Sequence, residues 1–310
     1  MGDAEPLRII CGPTGAGKSA LALALARVHP VVIVSADSRQ LYRGFDIGTA
    51  KPSAEEQRQV PHRGIDVIEP AERYSAARWA DSARVWIDEA VAADRTPLIV
   101  GGAGLYLRAL TEPLFDEPPL DSFRRDALDA ELGAMTVAEL RRWCERLDPA
   151  RAHLGRTQLI RAITVALLSG TPISEWHART PRAAGRAARY LVVDPEVGLA
   201  ARLDDRLTAM LEAGWEREVE TLVRTVPADA PAWNGTGYRW IRSTVMRESS
   251  RDDALARVRT DTRQYAKRQR TWFRHQLPAA HVTRIDPGAP DAGEQAMRWW
   301  HATDDGGVLA

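Results

Sequence analysis

Residues Gly12-Pro13-Thr14-Gly15-Ala16-Gly17-Lys18-Ser19 spell G-x-x-x-x-G-K-S, the spacing of a phosphate-binding P-loop. Glycines let the chain turn tightly and aim successive backbone N–H groups at phosphate oxygens. The helix that follows offers its positive end to the same anion. Lys18 adds a mobile charge, and the Ser19 hydroxyl is suited to ligating Mg2+. The motif implies a grip on a di- or triphosphate. It leaves open whether that phosphate is hydrolysed, transferred or expelled as a leaving group.

Two further residues could carry chemistry. Asp37 follows the apolar run Val31 to Ser35, at the edge where open α/β sheets bind ligands. A carboxylate there can act as a general base or reach Mg2+ through water; it can equally serve as a helix N-cap or turn residue. Arg206 lies on a helix expected over Glu196 to Ala213, whose apolar stripe is Leu199, Leu203, Leu207 and Met210. At 100° per residue it falls about 20° from Leu199, on the core-facing edge. A cation there needs an anionic partner, and a bound phosphate or a structural carboxylate would satisfy it.

The elements that must position these groups read as alternating strands and helices. Leu7 to Cys11, Val31 to Ser35 and Thr96 to Val100 are buried strands, and Gly64 to Ile68 is a short third one. Helices are expected over Ala20 to Val28 and Tyr74 to Ala93, the latter with the stripe Ala77, Ala80, Ala83, Ile87 and Val91. The pattern changes at the Pro-rich stretch Leu114 to Leu120, and Asp121 to about Ala178 holds only helical signals. Strand returns at Arg189 to Asp194, followed by a long helix from Asp252 to Arg274 and a short strand at His281 to Ile285. Asp304 to Ala310 reads as a frayed end. This predicts an α/β protein: a P-loop core with a mostly parallel β-sheet flanked by helices, interrupted by an all-helical insertion. The predicted bounds are 1–115 and 189–310 for the core and 116–188 for the insertion.

Composition is that of an ordinary globule, with 310 residues, 45% hydrophobic and 27% charged. No run approaches the ~20 apolar residues of a membrane span, and the acidic N-terminus carries no secretion signal, so the cytoplasm is expected. Cys11 and Cys144 are isolated, which suggests neither a disulfide framework nor a zinc site. Net charge is zero, but Arg239 to Arg274 holds eleven Lys or Arg against four Asp or Glu, a local +7. On the helix within it, Arg259, Arg263, Lys267, Arg270 and Arg274 share one side, which could follow a nucleic-acid backbone or be a solvated face. Val258, Thr262, Tyr265, Gln269 and Trp272 share another.

Several separated blocks together carry a resemblance. They are the P-loop with its Gly-Pro-Thr opening, Ser35-Ala36-Asp37-Ser38-Arg39-Gln40-Leu41-Tyr42, Asp46-Ile47-Gly48-Thr49-Ala50-Lys51-Pro52, Pro61-His62-Arg63, and Thr262-Arg263-Gln264-Tyr265-Ala266-Lys267-Arg268-Gln269-Arg270-Thr271-Trp272. Through them nearly the whole chain resembles the bacterial tRNA dimethylallyltransferases, also called tRNA isopentenyltransferases. The resemblance implies transfer of a dimethylallyl group from dimethylallyl diphosphate to the exocyclic N6 of an adenosine next to the tRNA anticodon, with diphosphate as leaving group. It implies that Asp37 is the base and that Thr14 and Arg206 act on the diphosphate together with Gly12, Pro13, Gly15, Ala16, Gly17, Lys18 and Ser19. It further implies that Mg2+ is held at Ser19, and that the insertion grips the anticodon stem-loop. Contacts with tRNA would fall on Asp37, Ser38, Arg39 and Gln40, on Ala103, on Arg124, on Gln158, Leu159, Ile160, Arg161 and Ala162, and on Gly237, Tyr238 and Arg239. Arg263, Lys267 and Arg270 would join them from the basic helix. A monomer with no obligate protein partner is expected. The chain departs from the family at Ala103, where a hydroxyl residue is usual, at Arg156-Thr157, where Asp-Pro is common, and at Trp240, where an acidic residue is frequent. The competing readings are a transferase acting on free adenine nucleotides, a small-molecule P-loop kinase, and a non-catalytic nucleic-acid-binding module.

Overall fold

A computed structural model describes residues 5–112, 118, 120–179 and 186–302. The chain divides into two compact units, Met1–Glu112 with Arg186–Ala310, and Pro113–Gly185.

The first unit is built on a six-stranded parallel sheet. Its strands are β1 (Leu7–Cys11), β2 (Val31–Ser35), β3 (His62–Arg63), β4 (Thr96–Gly101), β5 (Ala188–Val193) and β6 (Val282–Ile285), in the order β3-β2-β4-β1-β5-β6. β1 and β2 are buried along their whole length, as apolar runs in a sheet covered on both faces should be. The helices of this unit are α1 (Lys18–Ala26), α2 (Ala54–Gln59), α3 (Ala76–Ala92), α4 (Gly104–Thr111), α9 (Leu199–Glu212), α10 (Trp215–Thr225), α11 (Tyr238–Val245), α12 (Arg251–His275) and α13 (Ala292–His301). One side of the core joins Ile10, Leu25, Ile33, Leu98, Leu191, Ile285, Trp299 and Trp300. On α3 the buried stripe is Trp79, Ala80, Ala83, Ile87 and Ala90, whereas Ala77 and Val91, expected inside, are exposed. Trp79 sets the phase: its ring stacks on Tyr106 at 4.8 Å and its indole N–H donates to the Ser35 carbonyl at 3.1 Å.

The second unit holds α5 (Ser122–Ala134), α6 (Val137–Leu147), α7 (Arg156–Ser169) and α8 (Ile173–Arg179) around Leu132, Leu140, Cys144, Leu159, Ala162, Ile163 and Ile173. The Thr136 hydroxyl accepts from the Glu139 N–H and the Glu139 carboxylate accepts from the Thr136 N–H, a capping box that starts α6.

Several expected bounds change. The strand expected at Gly64–Ile68 is instead the two-residue β3, because Asp66 has φ +52° and the following N–H groups turn away from the sheet. The Val67 and Ile68 N–H groups both donate to the Leu41 carbonyl, and Asp66 donates to Gln40. The helix expected from Glu196 begins at Leu199, and that expected from Tyr74 begins at Ala76, after Ser75 accepts from the Arg78 N–H. The sequence reading gave no separate helix for α2, α10, α11 or α13. The Pro-rich Leu114–Leu120 stretch lies mostly, and the Asp304–Ala310 end wholly, outside the described residues. No described helix is long and apolar enough to cross a membrane.

Candidate active site

β1 delivers the P-loop to the carboxyl end of the sheet. Gly12 has φ +142°, and a Cβ there would lie 2.1 Å from the Val193 carbonyl oxygen, so the loop can leave β1 over β5 only without a side chain. α1 starts directly after Gly17, which points its N-terminal N–H groups back across the loop. Lys18 Nζ donates to the Pro13 carbonyl at 2.7 Å. Burial, and then the charge of Arg206, brings the Lys18 pKa down to about 8, while Asp37 pulls the other way. Ser19 is exposed at the first turn.

Thr14, Asp37, Arg39 and Arg206 line one cleft with Leu203, Leu207, Met210, Trp215 and Val258 as its apolar wall and Thr262 and Tyr265 on α12. The cleft opens to solvent, and its lining combines an apolar wall with a few polar groups, the make-up of a small-molecule site. Asp37 is both a turn residue and a cleft residue. Its Oδ1 accepts the Arg39 N–H at 2.8 Å, closing an Asx turn that fixes the carboxylate. Arg206 forms neither a hydrogen bond nor an ion pair with any described residue. Burial pulls its pKa down, and Asp37 across the cleft is the charge that opposes this. Of the two partners the helical pattern allowed, a structural carboxylate in contact is therefore absent among the described residues. Tyr265 is held up at about 12 by burial and by Asp37.

The wall is braced from α10 and α11. Glu218 Oε2 accepts the N–H groups of Asp46 at 3.0 Å and Ile47 at 2.7 Å. Tyr238 donates its hydroxyl proton to Glu218 Oε1 at 2.6 Å and accepts from the Gly48 N–H at 3.1 Å. Lys51 Nζ joins the Tyr42 carbonyl at 2.7 Å, Asp66 at 2.6 Å and Asp46. A Cβ on Gly48 would sit 2.2 Å from Trp215 Nε1, which is why this block is bare where the indole enters. The indole N–H itself has no partner among the described residues, and its ring lines the cleft.

Thus Thr14, Lys18, Asp37, Arg39 and Arg206 come together. Other sequence-predicted positions do not present side chains to a ligand. Tyr238 is 0% exposed, and its hydroxyl is spent on Glu218 and Gly48; Gly237 is buried beside it. Leu159 and Ala162 face the core of the second unit, so any contact from that stretch falls to exposed Gln158 and Arg161 or to half-buried Ile160. Arg263 pairs with Asp204 at 2.6 Å, and Arg270 is half-buried on Asp194 at 2.6 Å and the Pro195 carbonyl. The basic side of α12 is therefore not an open stripe: α9 and the end of β5 supply carboxylates to it, and Lys267 remains exposed. Arg239 is exposed and pairs with Asp261 at 2.7 Å, which also accepts from Trp240 Nε1 at 2.8 Å. Ser38 and Gln40 are half-buried, the Gln40 amide bonding Ser35 Oγ and the Thr49 and Ala50 carbonyls. Ala103 is the N-cap of α4, with its N–H on the Ala36 carbonyl at 3.0 Å. Arg124 is exposed on α5. Sequence reasoning gave no role to Trp215 and Thr236, which also line the cleft; the only local hint was the break at Gly214 before Trp215.

The sequence matches the family described as IPP transferase over residues 40–276 and that described as Isopentenyl transferase over residues 5–63. It is 41% identical to a tRNA dimethylallyltransferase from Caulobacter sp. (strain K31), covering 87% of this chain and 90% of that one. It is also 41% identical to one from Rhodospirillum centenum, covering 93% and 94%. The full-length tRNA isopentenylpyrophosphate transferase from Bacillus halodurans has a similar structure, with TM-score 0.66, 32% identity and coverage of 95% and 94%. A eukaryotic dimethylallyltransferase acting on tRNA shares the fold at TM-score 0.79 and 24% identity, covering 95% of this chain and 78% of that one. A P-loop, a turn-held aspartate and an arginine unpaired among the described residues, all around one cleft, are thus found in a chain that belongs to the IPP transferase family.

Proposed function

We propose that this enzyme transfers the dimethylallyl group of dimethylallyl diphosphate to N6 of the adenosine 3′ to a tRNA anticodon, giving N6-dimethylallyladenosine and diphosphate. The observation that carries the reading is the pairing, in one cleft, of an anion cradle with a fixed carboxylate against an apolar wall. The P-loop amides, Lys18 and Arg206 bind the diphosphate; the wall of Leu207, Met210, Trp215 and Val258 suits the dimethylallyl chain or the base.

An exocyclic adenine amine is a weak nucleophile because its lone pair is delocalised into the ring. As N6 bonds to the dimethylallyl carbon, the carbon–oxygen bond to diphosphate breaks and the electron pair leaves with that oxygen. The N6 proton passes to Asp37. The charge gathering on the leaving group meets N–H donors and cations already in place, which is where electrostatic preorganisation acts. The target base leaves the anticodon-loop stack to reach the cleft, and the helical unit, with Arg124, Gln158 and Arg161 exposed, grips the stem-loop.

Mg2+ fits the donor set: no described cluster of three His, Cys, Asp or Glu could hold a metal alone, but Mg2+ commonly takes one or two protein oxygens plus phosphate and water, and the Ser19 hydroxyl is such an oxygen. When bound it would neutralise charge on the diphosphate. The reading places the protein in the cytoplasm as a monomer.

The test uses purified protein, Mg2+, dimethylallyl diphosphate and unmodified tRNA with adenosine 3′ of the anticodon, followed by nucleoside mass spectrometry. One added dimethylallyl on that adenosine, lost in folded Asp37→Ala, is expected. Modification of free AMP instead of tRNA would overturn the assignment of acceptor.

A further inference from the structure

We infer that Gln269 is a positioning residue that sets the register of the diphosphate loop. The last paired residues of the neighbouring strands β1 and β4 are Cys11 and Gly101. Beyond them the two chains part, one into the P-loop and the other toward α4. The side chain of Gln269, from α12, enters this gap. Its Oε1 accepts the Thr14 N–H at 2.8 Å, and its Nε2 donates to the Gly102 carbonyl at 2.8 Å. The amide takes the place of the next rung of the ladder, joining chains 255 and 167 residues away in sequence. The residue is 7% exposed, and a Cβ on Gly102 would lie 2.3 Å from Nε2. The backbone is bare at the point where the amide passes.

The arrangement is directional. The Thr14 N–H needs an acceptor and the Gly102 carbonyl a donor, and a neutral amide or a protonated acid supplies both, side by side, from one planar group. Tying the Thr14 N–H to Gln269 keeps that peptide from the anion, while Thr14 lines the cleft together with Arg206 and Asp37. Gln269 thus acts on the diphosphate through Thr14 and touches no reacting atom. The inference deepens the transfer reading and rests on it only for the identity of the anion.

The test measures binding of inorganic diphosphate by calorimetry, and of tRNA by filter retention, for the wild type, Gln269→Met and Gln269→Glu. Methionine keeps the volume and removes both bonds. Diphosphate affinity should fall about tenfold or more, the scale of one or two buried hydrogen bonds, with tRNA affinity held within about twofold. The glutamate variant keeps the acceptor but, when ionised, cannot donate. Relative to the wild type at each pH, its diphosphate affinity should be low at about pH 8 and recover at about pH 5, where the buried carboxyl is protonated. That recovery is read on the folded glutamate variant against the wild type and does not use Gln269→Met, so it stands even where Gln269→Met folds poorly. Equal loss of diphosphate and tRNA binding, wild-type diphosphate affinity in Gln269→Met, or no recovery in Gln269→Glu would overturn the inference. Failure of the wild type to bind diphosphate would instead overturn the reading of the anion.

Discussion

Tyr238→Phe removes one oxygen from the brace behind the cleft and tests whether that brace is polar or merely packed. The ring lies 4.8 Å from Phe45 and 5.3 Å from Trp215, and phenylalanine keeps those contacts, so no cavity larger than a hydroxyl is made. Two bonds are lost. The hydroxyl donates to Glu218 at 2.6 Å, a bond to a charged acceptor worth about 1.5–3 kcal/mol. It also accepts from Gly48 at 3.1 Å, and an orphaned buried N–H costs about 1–3 kcal/mol. Glu218 keeps its two backbone donors, Asp46 and Ile47, and terms that share one atom do not add in full. The expected destabilisation is about 3 kcal/mol, read as a lower urea midpoint at unchanged slope, followed by tryptophan fluorescence. Alkali supplies a second check. Burial, with Glu218 beside it, raises the Tyr238 pKa well above its usual value. A raised folded pKa contributes stability that is present below about pH 10 and is lost above it, so the wild type loses this advantage while the variant has none to lose. The gap should close as pH climbs past about 10. A loss below about 1 kcal/mol at neutral pH, or a gap that widens in alkali, would refute the polar brace.

Other expectations follow from the same geometry. With its pKa near about 8, Lys18 is charged below that pH, and diphosphate binds the charged form. Affinity measured by calorimetry should be flat below about pH 8 and then fall toward about tenfold per unit. Stability should move the other way between about 8 and 10.5, because there the unfolded chain binds more protons than the folded one. Arg206→Gln should lower the single-turnover transfer rate by about 10²–10³, the scale of removing one preorganised charge stabiliser. Lys267→Ala should weaken tRNA binding and reduce its salt slope by about one. Arg270→Ala, which strands Asp194, should lower the melting temperature and leave that slope unchanged.

What the sequence made legible was what it states locally. The P-loop is eight contiguous residues in its own strand–helix context, and Leu7–Cys11 and Val31–Ser35 are short runs, apolar but for Arg8 and Ser35, whose bounds hold. Arg206 was visible because helical period placed it beside Leu199, and the side of α12 with Val258, Thr262, Tyr265 and Gln269 was visible for the same reason. Period gives a face but not what stands opposite. Asp194 pairs with Arg270, and Asp204 is shared by Arg259 and Arg263, from other elements, and nothing near residues 259–270 announces them. The Glu218 brace spans 172 residues, and Tyr238 was expected as a contact residue only through the family resemblance, although its ring is wholly enclosed. Gly64–Ile68 has strand-like composition, but a single left-handed residue, Asp66, redirects its hydrogen bonds.

The position of β5 bears on how the chain is made. The P-loop leaves the ribosome well before β5 does, yet Gly12 rests on Val193 and β1 lies between β4 and β5. Until residue 193 has emerged, the nascent chain carries an open apolar edge along β1, and the loop has no bed. The helical unit is synthesised inside that interval and, having its own core, can form while the sheet waits. A truncated chain ending before Ala188 should therefore be a chaperone client, holding a complete phosphate-binding motif that cannot yet bind phosphate.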